Sequence, residues 1–161
     1  MKPFFYISLV YFFLMTFSCQ KQVAEEGKPA PDFRFGLMED VVVRLDEVKG
    51  RKRYLNFWTI TCKPCLEDFY KHQALMRGLS DRTDMAIVNI CMDADKAQIE
   101  EYLLRFELDI PNIVIAQNID EVITKYDIGA FPHHVMIDSS GIVIKNNYQE
   151  MFDDLAADYA K

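Results

Sequence analysis

The sequence predicts an α/β fold in which helices flank one central sheet, and two observations lead to this prediction. Short apolar runs typical of buried strands alternate with segments whose apolar residues recur at helical spacing. The chain then closes with two short apolar runs around a turn, followed by an amphipathic helix. This order of elements favours an α/β sandwich. The 161 residues, 50% of them hydrophobic, suffice for one domain with a real core and are too few for two.

The first half of the domain is predicted to contain a hairpin, a central strand and a long helix. Alternating apolar residues predict a β-hairpin over residues 33–45, with a turn over 45–50 before the central strand. Residues 54–58 have the short, aromatic-rich profile of a buried strand. The helix that follows keeps one face apolar through Cys65, Phe69, Met76 and Leu79.

The second half is predicted to alternate strands with helices. The apolar runs typical of strands cover residues 85–91, 110–116, 135–137 and 142–144. The segments with helical spacing cover residues 99–106, 119–126 and 152–159. Asp-Ser-Ser-Gly at residues 138–141 is a turn signal, so we expect the last two strands to form a hairpin.

The N-terminal residues are typical of a secretion signal. Lys2 precedes an apolar run over residues 3–17, which is shorter than the roughly 20 apolar residues that a membrane-spanning helix needs. We therefore predict an exported protein with a signal peptide at residues 1–18, a flexible polar tether at 19–28 and the folded domain at 29–161.

Cys19 lies where a bacterial lipoprotein signal has its acylated cysteine, after the small residue Ser18 and before a polar tether. The pattern resembles a relaxed version of that motif, since Thr16 replaces the usual aliphatic residue. The resemblance implies a lipid anchor on Cys19 and a location in the cell envelope, facing the extracytoplasmic (periplasmic) side. An uncleaved signal anchor, or an ordinary signal that leaves Cys19 free, is the alternative.

The stretch from residue 54 to residue 69 carries the predicted active site. The central strand ends there, and Cys62 opens the helix that follows. Unpaired N–H groups and the positive end of the helix dipole favour a thiolate at that position, and Lys63 adds a positive charge beside it. We therefore expect Cys62 to be a nucleophile.

Cys65 follows three residues later, which allows the two cysteines to close a small disulfide ring. Pro64 fixes a backbone angle inside this ring and needs no N–H partner in the first helical turn. In thiol–disulfide exchange, Cys62 would attack a substrate disulfide and the more buried Cys65 would resolve the mixed disulfide. Half of a zinc site and a purely structural disulfide are the alternatives. Zinc is disfavoured because the only histidines to recruit are His72, His133 and His134.

Asn56-Phe57-Trp58 followed by Cys62-x-Pro-Cys65 resembles the active-site segment of the TlpA/ResA-like membrane-tethered thiol:disulfide oxidoreductases. Residues 27–33 also resemble the G-x-x-A-P-D-F opening that these proteins share with peroxiredoxins. The resemblance implies a thioredoxin-like fold, a central mixed sheet flanked by helices with an N-terminal β-hairpin extension. This sequence differs from the family pattern at Thr61, where many relatives have tryptophan, and from thioredoxin at Asn56, where thioredoxin has a buried acid.

The same resemblance assigns supporting roles to four further residues. Trp58 belongs to the family's segment before the cysteines, and Asp68 matches an acid that some relatives hold near the first cysteine. A solvated carboxylate at a helix N-terminus is the alternative for Asp68. Phe131-Pro132 resembles the family's cis-proline loop, in which the backbone of Phe131 would pair with an extended substrate peptide.

No metal or cofactor is predicted. His133 and His134 would lie on opposite faces of a strand, and core or surface histidines are commoner than ligands. Cys91 is either a third redox thiol or a buried small side chain, and the second is favoured because free cysteines are usually buried. The net charge of −7 excludes nucleic acid as a natural partner.

Three function classes follow from these patterns. We predict a monomeric, membrane-tethered thiol:disulfide oxidoreductase that reduces disulfide-containing client proteins. An unidentified electron donor would then reduce the protein's own cysteine pair again. A thiol peroxidase that uses Cys62 is the alternative, because Thr59 to Cys62 forms T-x-x-C; Leu55, however, replaces the proline expected of a peroxiredoxin. A redox-silent binding module is the third class.

Overall fold

The computed structural model describes residues 22–38, 41–48 and 51–159, so the predicted signal peptide and Cys19 lie outside the described residues. The strands are β1 (Arg34–Leu37), β2 (Val42–Arg44), β3 (Lys52–Trp58), β4 (Met85–Cys91), β5 (Ile113–Ala116), β6 (His133–Ile137) and β7 (Val143–Asn146). The helices are α1 (Lys63–Ser80), α2 (Lys96–Arg105), α3 (Ile119–Tyr126) and α4 (Met151–Tyr159). A 3-10 turn at Leu45–Glu47 lies where the sequence predicts a turn.

The strands form one mixed sheet in the order β2-β1-β5-β4-β3-β6-β7. β3, β4 and β5 run parallel, whereas β6 pairs antiparallel with β3, and the β1–β2 hairpin pairs antiparallel with β5. The mixed central sheet and the N-terminal hairpin are therefore confirmed. In this topology, the C-terminal end of β3, just before the two cysteines, lies between the C-terminal end of β4 and the start of β6.

Two hydrophobic cores lie on opposite faces of the sheet. Because successive strand residues point to opposite faces, Trp58 enters one core and Phe57 the other. The Trp58 core is covered by α1, α2 and α4, and the Phe57 core by α3. Both side chains are fully buried, so β3 is anchored on its two faces just before the cysteines.

α1 packs through the face that its spacing predicts. Cys65, Phe69, Met76 and Leu79 are buried, and the sequence analysis missed His72 on the same face. The Phe69 ring meets the Trp58 indole edge-on with a centroid distance of 4.9 Å. This contact fixes the first turns of the helix against the end of β3.

Several expected boundaries differ from the structure by one to three residues, and the start of β5 and the start of the packed chain are wrong for visible reasons. The strand predicted to begin at residue 110 begins at Ile113, because Pro111 has no N–H to donate and Asn112 has a positive φ of 53°. The sequence predicts a flexible tether up to residue 28, but Ala24 is buried and its N–H donates to the Lys125 carbonyl at 2.7 Å. The packed part of the chain thus begins several residues before residue 29.

Candidate active site

Cys62 is the N-cap residue of α1, in the position that the sequence predicts. Its Sγ accepts a hydrogen bond from the backbone N–H of Cys65 at 3.1 Å, and a disulfide of 2.04 Å joins the two sulfurs. Cys65 is 1% exposed, whereas Cys62 is partly exposed. The sulfur that faces solvent is therefore also the one that receives an N–H group of the helix terminus, which stabilises a thiolate there.

The two residues inside the ring differ in what they contribute. Pro64 lies in the first turn of α1, where a missing N–H costs no helix hydrogen bond. Lys63 is 86% exposed, and its Nζ lies 3.9 Å from a carboxylate oxygen of Glu67 one turn on. The charge of Lys63 is thus shared with Glu67 and screened by water, so the helix terminus is the stronger influence on Cys62.

Asp93, which the sequence analysis missed, holds the turn before Cys62. Its carboxylate accepts the Ile60 backbone N–H at 2.9 Å and the Thr61 hydroxyl at 3.4 Å. The residue lies two positions after the end of β4, and Trp58 at the end of β3 is paired with Cys91 at the end of β4. The sequence signal that could have identified Asp93 is an acidic residue shortly after a strand that runs parallel to β3. The carboxyl ends of parallel strands lie at the same edge of a sheet, so such a residue comes close to the turn after β3.

The Phe131–Pro132 peptide bond is cis, as the resemblance led us to expect. The loop leads into β6, whose first residue His133 is paired with Phe57 of β3. The proline loop and the cysteines are thus brought to the same edge of the sheet. Phe131 is partly buried and packs against both cores.

Trp58 and Asp68 lie beside this centre in different ways. The indole of Trp58 is fully buried between Phe69 and Tyr102, so it supports the site from the core side of the sheet. Asp68 is half-buried on α1, and burial raises the pKa of its carboxyl. Its Oδ2 lies 3.9 Å from Nε2 of His134. The carboxyl of Asp68 is thus partly shielded from water, and its part in proton transfer stays a prediction.

A buried amide pair occupies the position of the acid found in thioredoxin. Asn56 donates its Nδ2–H to Oδ1 of Asn89 at 3.0 Å, and Asn89 donates to the Pro111 carbonyl at 2.8 Å. Neither amide titrates in the working pH range of proteins. Any proton exchanged with the cysteines must therefore reach another group.

Cys91 and the histidines are packed into the cores. Burial raises the pKa of the Cys91 thiol to about 11, which keeps it a small uncharged side chain at neutral pH. His133 shares a hydrogen bond of 2.9 Å with Oδ1 of Asn146, and His134 shares one of 3.2 Å with the Tyr148 carbonyl. Within the described residues, no group of three or more metal-binding side chains converges.

A protein-family model described as Redoxin matches residues 25–160. The chain belongs to the Redoxin family. This redoxin is 29% identical over 139 residues to the thiol-disulfide oxidoreductase ResA of Geobacillus thermodenitrificans. The aligned residues cover 86% of this chain and 78% of the relative. It is 25% identical to the thioredoxin-like protein YneN of Bacillus subtilis, over 80% of this chain and 74% of the relative.

Two solved structures from Bacteroides share the fold of this redoxin. The thioredoxin domain of a thiol-disulfide oxidoreductase from Bacteroides vulgatus superposes with a TM-score of 0.70 at 20% identity, covering 84% of this chain and 96% of that domain. A thiol:disulfide interchange protein from a Bacteroides species gives a TM-score of 0.71 at 20% identity, over 84% and 88% of the two chains. The fold of this redoxin is thioredoxin-like, as predicted.

The family, the relatives and the bonded cysteines agree on one chemistry. This redoxin is a thioredoxin-like thiol:disulfide oxidoreductase of the TlpA/ResA-like kind, with Cys62 and Cys65 as its redox pair. In the part of the chain that the structure describes, no helix is both long and apolar enough to cross a bilayer.

Proposed function

We propose that this redoxin is an exported, lipid-anchored reductant of disulfides in client proteins. The observation that carries the proposal is the asymmetry of its sulfurs: Cys62 is partly exposed at the N-terminus of α1, and Cys65 is buried behind it. An exposed thiolate next to a buried thiol suits a two-step exchange with a large substrate.

In the first step, the Cys62 thiolate attacks one sulfur of the client disulfide. A bond forms between Cys62 Sγ and that sulfur, and the other client sulfur leaves as a thiolate that takes up a proton. In the second step, Cys65 loses its proton and attacks Cys62 Sγ, which expels the second client thiolate. The client gains two electrons, and the Cys62–Cys65 disulfide forms. Asp68, three residues beyond Cys65 on α1, is the proposed acceptor of the Cys65 proton.

The client would be an extended segment beside the proline loop. The backbone of Phe131 is the proposed partner for such a segment, in the manner of an added strand. A cavity of about 300 Å³ lies between α2 and the turn that precedes Cys62, and it offers room for a client side chain; it is lined by Ile60, Thr61, Gln98, Glu101, Tyr102, Arg105 and Phe106. A second thiol protein must then return the electrons to the cysteine pair.

The test of this proposal is a trapping experiment. With Cys65→Ser, the second step is blocked, so a mixed disulfide between Cys62 and the client should accumulate and be seen on a non-reducing gel. Cys62→Ser should trap none and should abolish the reduction of insulin, a general disulfide substrate. Trapping by Cys62→Ser instead would assign the attack to Cys65 and overturn the proposal.

A thiol peroxidase that uses Cys62 is the second candidate, since Thr59 and Cys62 have its T-x-x-C spacing. The Thr59 hydroxyl lies 3.4 Å from the Thr61 hydroxyl, and the Cys62 sulfur is bonded to Cys65. These contacts support disulfide exchange rather than peroxide binding. Peroxide consumption faster than insulin reduction would favour the peroxidase, and neither activity would favour a binding module.

A further inference from the structure

His134 has one buried nitrogen without a hydrogen-bond partner. The residue is 1% exposed in β6, and its ring packs edge-on against Phe152 with a centroid distance of 5.0 Å. Its Nε2 accepts and donates no hydrogen bond, although leaving a buried polar atom unpaired is costly. Oδ2 of Asp68 lies 3.9 Å from this nitrogen.

The other nitrogen of His134 determines which tautomer the ring adopts. Nδ1 lies 3.2 Å from the carbonyl oxygen of Tyr148, and a carbonyl can only accept, so Nδ1 must carry the proton. The Tyr148 N–H in turn donates to the His134 carbonyl at 3.0 Å, which fixes the ring against the segment after β7. Neutral His134 therefore presents a bare lone pair on Nε2 towards Asp68.

Asp68 can reach this lone pair when it carries a proton. Its side chain is 32% exposed, so it can rotate by the small amount that separates 3.9 Å from a hydrogen bond. Burial favours the protonated form of this carboxyl, and it also favours neutral His134. The other titratable groups around the two residues are Glu67, Lys71 and His72 on α1, Asp153 on α4, and His133 on β6.

We propose that His134 is the positioning residue of a one-proton couple, in which protonated Asp68 donates its O–H to the bare Nε2 of His134. The inference rests on the proposed function and deepens its second step. Asp68 as carboxylate takes the proton of the Cys65 thiol, and the Cys65 thiolate attacks Cys62. The new carboxylic acid is then held by His134 until its proton passes to water. The Asn56–Asn89 pair cannot do this, because its amides do not titrate.

The experiment follows the two steps separately, in the reduced full chain with Cys19→Ser so that only the redox pair reacts. Dithiobis(nitrobenzoic acid) releases one coloured thiol when Cys62 attacks and a second when Cys65 resolves the mixed disulfide. We expect Asp68→Asn to slow the second release by about a hundredfold or more and to leave the first unchanged.

His134→Asn should keep a donor near Nδ1 and remove the acceptor at Nε2. The second release should then slow by about tenfold, and the pH midpoint of its rate should fall by about one unit, because the acid form of Asp68 loses its partner. His134→Gln places an amide near the Nε2 position and should restore part of the rate. His133→Asn is the matched control, since His133 is equally buried on the opposite face of β6, and it should leave both releases unchanged.

Three results would overturn the inference, and they separate it from the proposed function. An unchanged second release and pH midpoint in His134→Asn, with Asp68→Asn slow, refutes the role of His134 alone. No first release from the chain that carries Cys19→Ser alone refutes the attack by Cys62 and the inference together. If His134→Asn does not fold, nitrogen NMR of the wild-type protein decides: a proton on Nε2 of neutral His134 contradicts the couple.

Discussion

At the scale of single residues, Cys91 shows how burial separates a reactive thiol from an inert one. It is fully buried beside Trp58 at the end of β4, whereas Cys62 is partly exposed at a helix terminus. Its thiol points towards Oδ1 of Asp93 at 3.7 Å. A neighbouring carboxylate and a low local dielectric both oppose a thiolate at this position.

We predict that iodoacetamide at pH 8 alkylates Cys62 in the reduced native protein and leaves Cys91 unmodified. The pKa of Cys91 is raised to about 11 by burial, so its thiolate fraction at pH 8 is about a thousandth. Peptide mass mapping measures both sites. Alkylation of Cys91 at a rate similar to Cys62, without denaturant, would mean that it is a third redox thiol.

At the scale of elements, the β3–α1 junction depends on a residue from another strand. The turn from Thr59 to Cys62 has one backbone hydrogen bond of its own, from the Cys62 N–H to the Thr59 carbonyl at 3.2 Å. Asp93 adds hydrogen bonds to Ile60 and Thr61 across a sequence separation of 33 and 32 residues. Its carboxylate thus fixes where α1 begins and where Cys62 points.

We predict that Asp93→Ala lowers the rate of insulin reduction several-fold, because the turn loses both contacts and Cys62 is held less well. Asp93→Asn should retain most of the rate, since its carbonyl oxygen still accepts the Ile60 N–H. Circular dichroism of both variants controls for folding. Equal loss in the two variants would point to the charge of Asp93 rather than to its hydrogen bonds.

At the scale of the whole molecule, the three histidines of the chain make stability sensitive to acid. Burial lowers the pKa of His72, His133 and His134, in the last case to about 4. An unfolded histidine titrates near 6.5, so the unfolded chain binds more protons as the pH falls below that value. The raised pKa of Asp68 acts in the opposite direction and offsets part of this effect.

We predict that the free energy of unfolding is highest above about pH 6.5 and falls as the pH drops from 6.5 towards 4. His134 alone should account for a loss of about 3 kcal/mol over this window, from the difference between its two pKa values. Urea unfolding at several pH values measures this, with His134→Asn as the control, whose stability should change less with pH. A stability that is constant between pH 7 and 4 would show that the histidines are hydrated in solution.

Cellular location is also a property of the whole chain, and it depends on residues outside the described part. We predict that Cys19→Ala releases the domain from the membrane fraction into the soluble fraction, because the acceptor of the lipid is lost. Fractionation with mass analysis of the N-terminus is the measurement. Membrane association of the mutant with residues 1–18 retained would favour an uncleaved signal anchor instead.

The features that sequence alone determined are those carried by neighbouring residues. The spacing of Cys65, Phe69, Met76 and Leu79 predicts the buried face of α1, and the bounds predicted for β4 and α3 match those observed. Cys62 is the N-cap residue because an apolar strand ends just before it and Pro64 suits a first helical turn. Periodicity and helix termini are local, so they can be recognised without knowledge of the fold.

The tertiary structure decided what depends on strand order and register. Asp93 reaches the redox turn only because β3 and β4 are parallel neighbours, and His134 faces Asp68 only because β6 pairs with β3 in its observed register. A slip of one residue in β6 would exchange His134 with His133, which is hydrogen-bonded on the opposite face. The sequence likewise predicts that Ala24 belongs to a tether. Nothing in the polar residues around it indicates that its N–H donates to the Lys125 carbonyl. Contacts between residues far apart in sequence leave no local pattern, because each partner could be satisfied elsewhere until the sheet brings the two together.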